Sequence, residues 1–219
     1  MSEPIDLNQF VITRRRKKYK FAKFANSPLC FELDEWQSRA VDVIELGAGT
    51  GLFAVQLAER YPDQQFVAID VKADRLQKGA YEAEAKGLTN VRFVRARGDQ
   101  LSKIVPPQSL SAIWLTFPDP FPKKGSAGRR MTNKTYLSTY TKMLKSDGHL
   151  YIKHDDPAFF TFSLEQLVAC RWTLDQLTFD LHDSDLSDDY KLLTTYETRW
   201  LGEGKPTQLV AASPPSLVD

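Results

Sequence analysis

The chain has 219 residues, 42% of them hydrophobic and 26% charged, enough for one sizeable core and ordinary for a globular protein. A formal net charge of +1 excludes a polycation, so nucleic-acid binding would have to rest on local patches. The two cysteines, Cys30 and Cys170, fit no metal or C-x-x-C spacing, no apolar run approaches membrane-spanning length, and MSEPIDLNQF has no signal-peptide pattern; a cytoplasmic protein is expected. Residues 1–39 read as a basic N-terminal extension carrying RRRKKYKFAKF, Arg14 to Phe24. From residue 40 strands and helices alternate. AVDVIEL (40–46) reads as a buried strand, GAGTG as a turn, LFAVQLAERY as a helix stopped by Pro62, and QFVAID (65–70) as a second strand. KADRLQKGAYEAEAKG follows as a helix with Gly87 at its C-terminal cap, then VRFVRA (91–96) as a third strand and SAIWLTF (111–117) as a fourth. NKTYLSTYTKMLK is a helix capped by Asn133, HLYIK (149–153) a fifth strand and DPAFFTFSLEQLVA a further helix. WTLDQLTFDL and YKLLTTYETRW read as β-like runs, and 211–219 as a flexible tail. This alternation predicts an α/β domain over 40–210 with a mostly parallel sheet and helices on both faces.

In such sheets ligands lie at the carboxyl ends of the strands. The first strand ends in IELGAGTG, where Gly47, Gly49 and Gly51 permit tight turning and close approach of a ligand. The spacing is G-x-G-x-G, not the G-x-G-x-x-G of dinucleotide folds. Glu45 just before it would repel a pyrophosphate but suits a cationic ligand, and Asp70, ending the second strand, suits a ribose diol. A ribose plus a cationic amino acid describes S-adenosylmethionine. After the third strand, Asp99 is the candidate for the adenine amino group or, equally, for capping the short helix QLSKIV. The fourth strand runs into TFPDPFPKK, in which Pro118, Pro120 and Pro122 stiffen a turn presenting Asp119, Phe121, Lys123 and Lys124. GSAGRR follows, so Lys123, Lys124, Arg129 and Arg130 make a basic loop suited to phosphate. His154 and His182 have no clustered spacing, which favours surface or packing roles and no metal.

These stretches, together with IKHDD (152–156), LHDSDL (181–186) and TTYETRW with GEGKP (194–206), resemble the bacterial tRNA (guanine-N7-)-methyltransferase family. The resemblance spans about residues 40–210. It implies a class I S-adenosylmethionine-dependent methyltransferase fold, Rossmann-like, with a seven-stranded sheet whose last strand is antiparallel. It implies methyl transfer to N7 of a guanine in the tRNA variable loop, usually guanine-46. By the same resemblance Glu45, Asp70 and an acid near Asp99 are cofactor contacts, and Asp119 stands at the catalytic centre beside the cofactor. Lys123, Asp155 and Thr194 through Glu197 are substrate contacts, and the 125–130 loop contacts RNA. Three departures stand out: Arg97 where relatives carry an acid, Phe121 where they carry tryptophan, and a loop that begins GSAG instead of richly basic. The Arg14–Lys23 cluster is expected to compensate for the last. Guanine N7 carries a lone pair and no proton, so no general base is needed; Asp119, Asp155 and Glu197 are the acids able to read the base edge. Two other readings remain at this stage, a methyltransferase of another base or small molecule and a non-catalytic RNA-binding module. Monomer and homodimer are both open.

Overall fold

A computed structural model describes residues 15–216. Helix α1 (Arg15–Ala25) and the short strand β1 (Cys30–Glu32) precede the alternating part. There follow β2 (Val43–Leu46), α2 (Leu52–Arg60), β3 (Phe66–Asp70), α3 (Ala73–Ala85), β4 (Val91–Arg95), β5 (Leu110–Thr116), α4 (Lys134–Met143) and β6 (Leu144–His154). The chain closes with α5 (Pro157–Ala169), β7 (Thr173–Thr178), α6 (Thr195–Leu201) and β8 (Gln208–Ser213). Residues at helix ends behave as the sequence suggests. Asn133 Oδ1 accepts from Thr135 N at 3.1 Å, and Asp156 caps α5 ahead of Pro157. Gly87, at φ 66°, ends α3 with Leu88 N donating to the Ala83 carbonyl and Gly87 N to that of Glu84.

The sheet of the described residues has the order β1-β4-β3-β2-β5-β6-β8-β7, and among these strands only β8 runs against its neighbours. Among the described residues eight strands stand where seven were expected, the addition being β1, which pairs parallel with β4. Strand alternation divides the side chains between two helical layers. Ile44, Leu46, Val67, Ile69, Ile113, Leu115, Leu150 and Ile152 face α4 and α5. Val43, Phe66, Ala68, Phe93 and Trp114 face α2 and α3. The order reverses between β2 and β5, so the turn after β2 and the turn after β5 flank one crevice at the topological switch point.

Three stretches differ from expectation. YKLLTTYETRW was expected as β-like, but residues 195–201 form α6 because Thr194 and Glu197 build a reciprocal capping box. The last strand is 208–213, so Ala211, Ala212 and Ser213 belong to the sheet and not to a flexible tail, held antiparallel between β6 and β7. Before residue 40, Ala22, Phe24, Leu29 and Trp36 are buried, and the Trp36 indole donates to the Ile104 carbonyl at 2.8 Å. This segment is therefore packed onto the sheet. Of the Arg14–Lys23 cluster, Arg14 and the side chains of 15–18 lie outside the described residues; Lys23 sits over the rings of Tyr19 and Tyr81.

Candidate active site

At the end of β2, Gly47, Gly49 and Gly51 all adopt positive φ, between 56° and 70°. At Gly51 there is a second reason for glycine: a Cβ there would lie 2.7 Å from the Phe93 ring. The loop is fixed from β3, where Asp70 Oδ2 accepts from Gly49 N at 2.9 Å and Oδ1 from Lys72 N at 2.8 Å. Each oxygen retains a further acceptor direction. Glu45 is only 2% exposed. Its Oε2 accepts from Ala54 N at 3.2 Å in the first turn of α2, and its Oε1 from the Thr116 hydroxyl at 2.7 Å. Gly51 provides no side-chain cap for α2, so Glu45 supplies that acceptor from the neighbouring strand. Burial pushes its carboxyl up to about 7, against the Thr116 and Ala54 hydrogen bonds. Met131 closes on the same loops, its sulfur 3.4 Å from where a Gly47 Cβ would stand and its methyl 2.7 Å from that of Gly98.

The turn after β5 holds two non-glycine residues in the left-handed region, Phe117 at φ 52° and Phe121 at φ 41°. Both precede proline, where extended backbone is preferred, so the turn is strained. Several bonds hold it. Phe117 N donates to the Lys153 carbonyl at 3.0 Å, His154 Nε2 lies 3.0 Å from the Pro118 carbonyl, and Arg130 Nε and Nη2 donate to the carbonyls of Pro120 and Phe121 at 2.9 and 3.2 Å. Asp119 stands exposed at its apex, and among the described residues its carboxylate has no hydrogen bond or ion pair. Lys123 and Lys124 are also exposed and unpaired among the described residues. Arg129 lies over the Phe121 ring at 4.4 Å, and Arg130 over Phe162 at 4.3 Å. The basic loop thus divides: two lysines face outward, one arginine covers the aromatic, and Arg130 holds the turn's main chain.

The third wall is α6. Lys153 and Glu197 are both fully buried and pair at 2.8 Å, the lysine also donating to the Leu192 carbonyl at 2.9 Å. Burial pushes the Lys153 amine down, and the Glu197 carboxylate opposes that shift. Glu197 Oε2 accepts from Thr194 N at 3.1 Å and Oε1 meets His182 Nε2 at 2.8 Å, while Thr194 Oγ1 accepts from Glu197 N at 3.0 Å. All of these Glu197 contacts are internal. On one side α6 reaches the glycine loop and α2, through Thr195 to Thr50 at 3.5 Å and Gln56 Nε2 to the Leu193 carbonyl at 2.9 Å. On the other, Tyr196 Oη donates to Asp155 Oδ2 at 3.3 Å, and its ring lies 5.1 Å from that of Phe117. Asp99, the candidate for the adenine position, and Arg97, which stands where relatives carry an acid, form an exposed two-pronged pair with each other at 3.0 and 2.9 Å.

The crevice therefore brings together Glu45, the glycine loop and Asp70 on one side and Asp119, Asp155 and the face of α6 on the other. Sequence reasoning passed over Thr116, Met131, Arg130's holding role and Lys153. A lysine within the strand pattern LYIKH was the available signal, since a buried ammonium requires an acid partner. His182 and His154, expected to be surface or packing residues, both make hydrogen bonds that tie site elements together.

Residues 39–209 match the family model described as "Putative methyltransferase". A tRNA (guanine-N(7)-)-methyltransferase of Brevibacillus brevis is 36% identical over 198 residues, covering 89% of this chain and 92% of that protein. One from Bacteroides thetaiotaomicron is 37% identical over 163 residues, covering 74% of this chain and 64% of the longer relative. Among solved structures, the 16S rRNA methyltransferase KamB superposes with a TM-score of 0.60 at 16% identity, covering 82% of this chain and 90% of its own, a likeness of fold alone.

Proposed function

The chain belongs to the tRNA (guanine-N(7)-)-methyltransferase family, and from that premise we propose that it methylates N7 of guanine-46 in the variable loop of tRNA, using S-adenosylmethionine. The residues at the first two strand ends fit that donor. Asp70 has acceptor directions left for a ribose diol, and three left-handed glycines bring bare backbone to the site. Glu45 is a buried carboxyl whose ionisation a cationic ligand would favour. Bound S-adenosylmethionine supplies a methyl group on a sulfonium sulfur.

The chain's own work lies in the acceptor. N7 of guanine presents an in-plane lone pair and no proton, so nothing has to remove one. Positioning the base and stabilising the positive charge that develops on it remain. Asp119 is assigned both: its oxygens accept from guanine N1–H and the 2-amino group, an edge adenine lacks, and its charge favours the cationic ring. Asp155, oriented by the Tyr196 hydroxyl, adds a second negative group nearby. Glu197, buried against Lys153 and His182, orients α6 and leaves the base edge to the other two acids. Lys123 and Lys124 meet phosphate. Phe117 and Tyr196 offer aromatic faces for the base, while Phe121 carries Arg129 over its ring.

The observation that carries this reading is Asp119, a solvent-facing carboxylate without a partner among the described residues, raised on a turn whose carbonyls are tied down at the switch point. The test is tritiated methyl transfer from S-adenosylmethionine to unmodified tRNA transcripts, followed by nucleoside analysis. Label in 7-methylguanosine, lost when guanine-46 is replaced by adenine, is expected. Label retained in that altered transcript, or found in another nucleoside, would overturn the assignment.

A further inference from the structure

We infer that His154 is a positioning residue, a neutral imidazole that holds the Asp119 turn in register with Asp155; this rests on the reading that those two acids meet the guanine. His154 ends β6 and is 3% exposed, its ring packed 4.3 Å from that of Phe159. Its two nitrogens address different segments. Nδ1 lies 2.8 Å from Asp156 N, and a main-chain amide only donates, so Nδ1 carries a lone pair. Nε2 lies 3.0 Å from the Pro118 carbonyl, which only accepts, so Nε2 carries the proton. The two partners together fix one neutral tautomer. Asp155 Oδ1 stands 3.5 Å from Nδ1, but the lone pair there already receives the Asp156 amide, so this is not an ion pair of the resting ring. Burial acts in the same sense and pushes the ring's pKa down, opposed by the Pro118 bond and the charges of Asp155 and Asp156.

The placement gives this bridge its consequence. Pro118 immediately precedes Asp119, and Asp155 lies between His154 and Asp156. One ring thus spans two strand ends 36 residues apart in the chain, each carrying an acid of the acceptor site. Phe117, just upstream, holds a strained φ of 52°, and the Pro118 carbonyl bond is one of the restraints that keep the turn there. An apolar residue of similar volume would pack against Phe159 equally well and register nothing.

Two measurements test this. In wild-type protein labelled with ¹⁵N-histidine, long-range ¹H–¹⁵N correlation is expected to show His154 with Nδ1 bare and Nε2 protonated at neutral pH; the opposite tautomer or a doubly protonated ring overturns the inference without any substitution. His154→Gln keeps a donor near Nε2, and His154→Asn keeps an acceptor near Nδ1. Expected is a kcat within a few-fold of wild type for the glutamine variant and a loss of about ten- to a hundredfold for asparagine, a size typical of a misplaced reacting group. KM for tRNA and affinity for S-adenosylhomocysteine should stay near wild type in both. Equal kcat in the two variants, or losses that follow the thermal midpoint, would overturn it. Asp119→Ala run alongside separates the failures: if it remains active the acceptor-site reading is wrong, whereas an inactive Asp119→Ala with full kcat in His154→Asn leaves only this inference refuted.

Discussion

The two halves of the crevice are held by different means. On the side proposed for the cofactor, the glycine loop is set by backbone that only glycine adopts easily and by Asp70, which binds main-chain amides 21 and 2 residues away. On the side proposed for the acceptor, phenylalanines occupy the left-handed region, and the turn is held by side chains from other elements: His154, Arg130 and, through α6, the Lys153–Glu197 pair 44 residues apart. The glycine loop relies on the conformational freedom of glycine and on bonds to the neighbouring strand. The turn after β5 is assembled from distant parts, and its rigidity depends on each of them.

The largest effect expected from breaking that distant assembly is on stability. Glu197→Ala leaves Lys153 buried without its counter-charge and removes half of the α6 capping box. Urea denaturation should show a loss of about 3–5 kcal/mol, as for other broken buried pairs; a loss below about 1 kcal/mol would mean that α6 is held by something else. Arg130→Ala acts next, on the turn and on the stacking over Phe162. Freed of its bonds to Pro120 and Phe121, the turn should relax, with kcat falling about tenfold or more while affinity for S-adenosylhomocysteine is kept.

Those two predictions also mark where the sequence was readable. Glycines, an acid before them and an acid ending the next strand mark the proposed cofactor side, because the residue types themselves stand at consecutive strand ends of the sequence. Strand alternation likewise gave the two-faced core from Val43 to Leu46. The acceptor side was legible as a motif and not as a mechanism. TFPDPFPKK shows an acid and cations on a stiff turn, yet that Arg130 folds back onto it while Lys123 does not follows only from tertiary contacts. YKLLTTYETRW misled because tyrosine, threonine and leucine suit strands, although Thr194-x-x-Glu197 carried the signature of a helix start. Lys153 and His154, adjacent on one strand, point to opposite layers and hold different elements, α6 and the turn after β5, which period-two alternation explains after the register is known.

A smaller effect should distinguish the outward lysines from the inward arginine. Lys123→Ala with Lys124→Ala is expected to raise KM for tRNA with kcat little changed, and to flatten the salt dependence of tRNA binding by a slope of roughly one per lysine. A fall in kcat at constant KM would instead place a lysine at the reacting base. Glu45 carries a pH-dependent effect. Its carboxyl, raised to about 7 in the folded state, binds its proton more tightly there than in the unfolded chain. Stability should therefore decline as pH rises from its ordinary range near 4.5 through 7. Glu45→Gln should remove that decline in thermal melts across the same window and weaken cofactor binding above it; an unchanged pH profile would assign the titration to another group.

The central claim is that Asp119, on a turn held by remote side chains, does the work at the base. Asp119→Asn keeps the size and polarity of the side chain and removes its charge. Single-turnover methyl transfer to unmodified tRNA, measured with cofactor and tRNA both saturating, should fall by about a hundredfold or more, a magnitude typical of lost electrostatic stabilisation, while binding of S-adenosylhomocysteine weakens by less than about tenfold. A single-turnover rate within a few-fold of wild type would contradict the account and move the chemistry to Asp155.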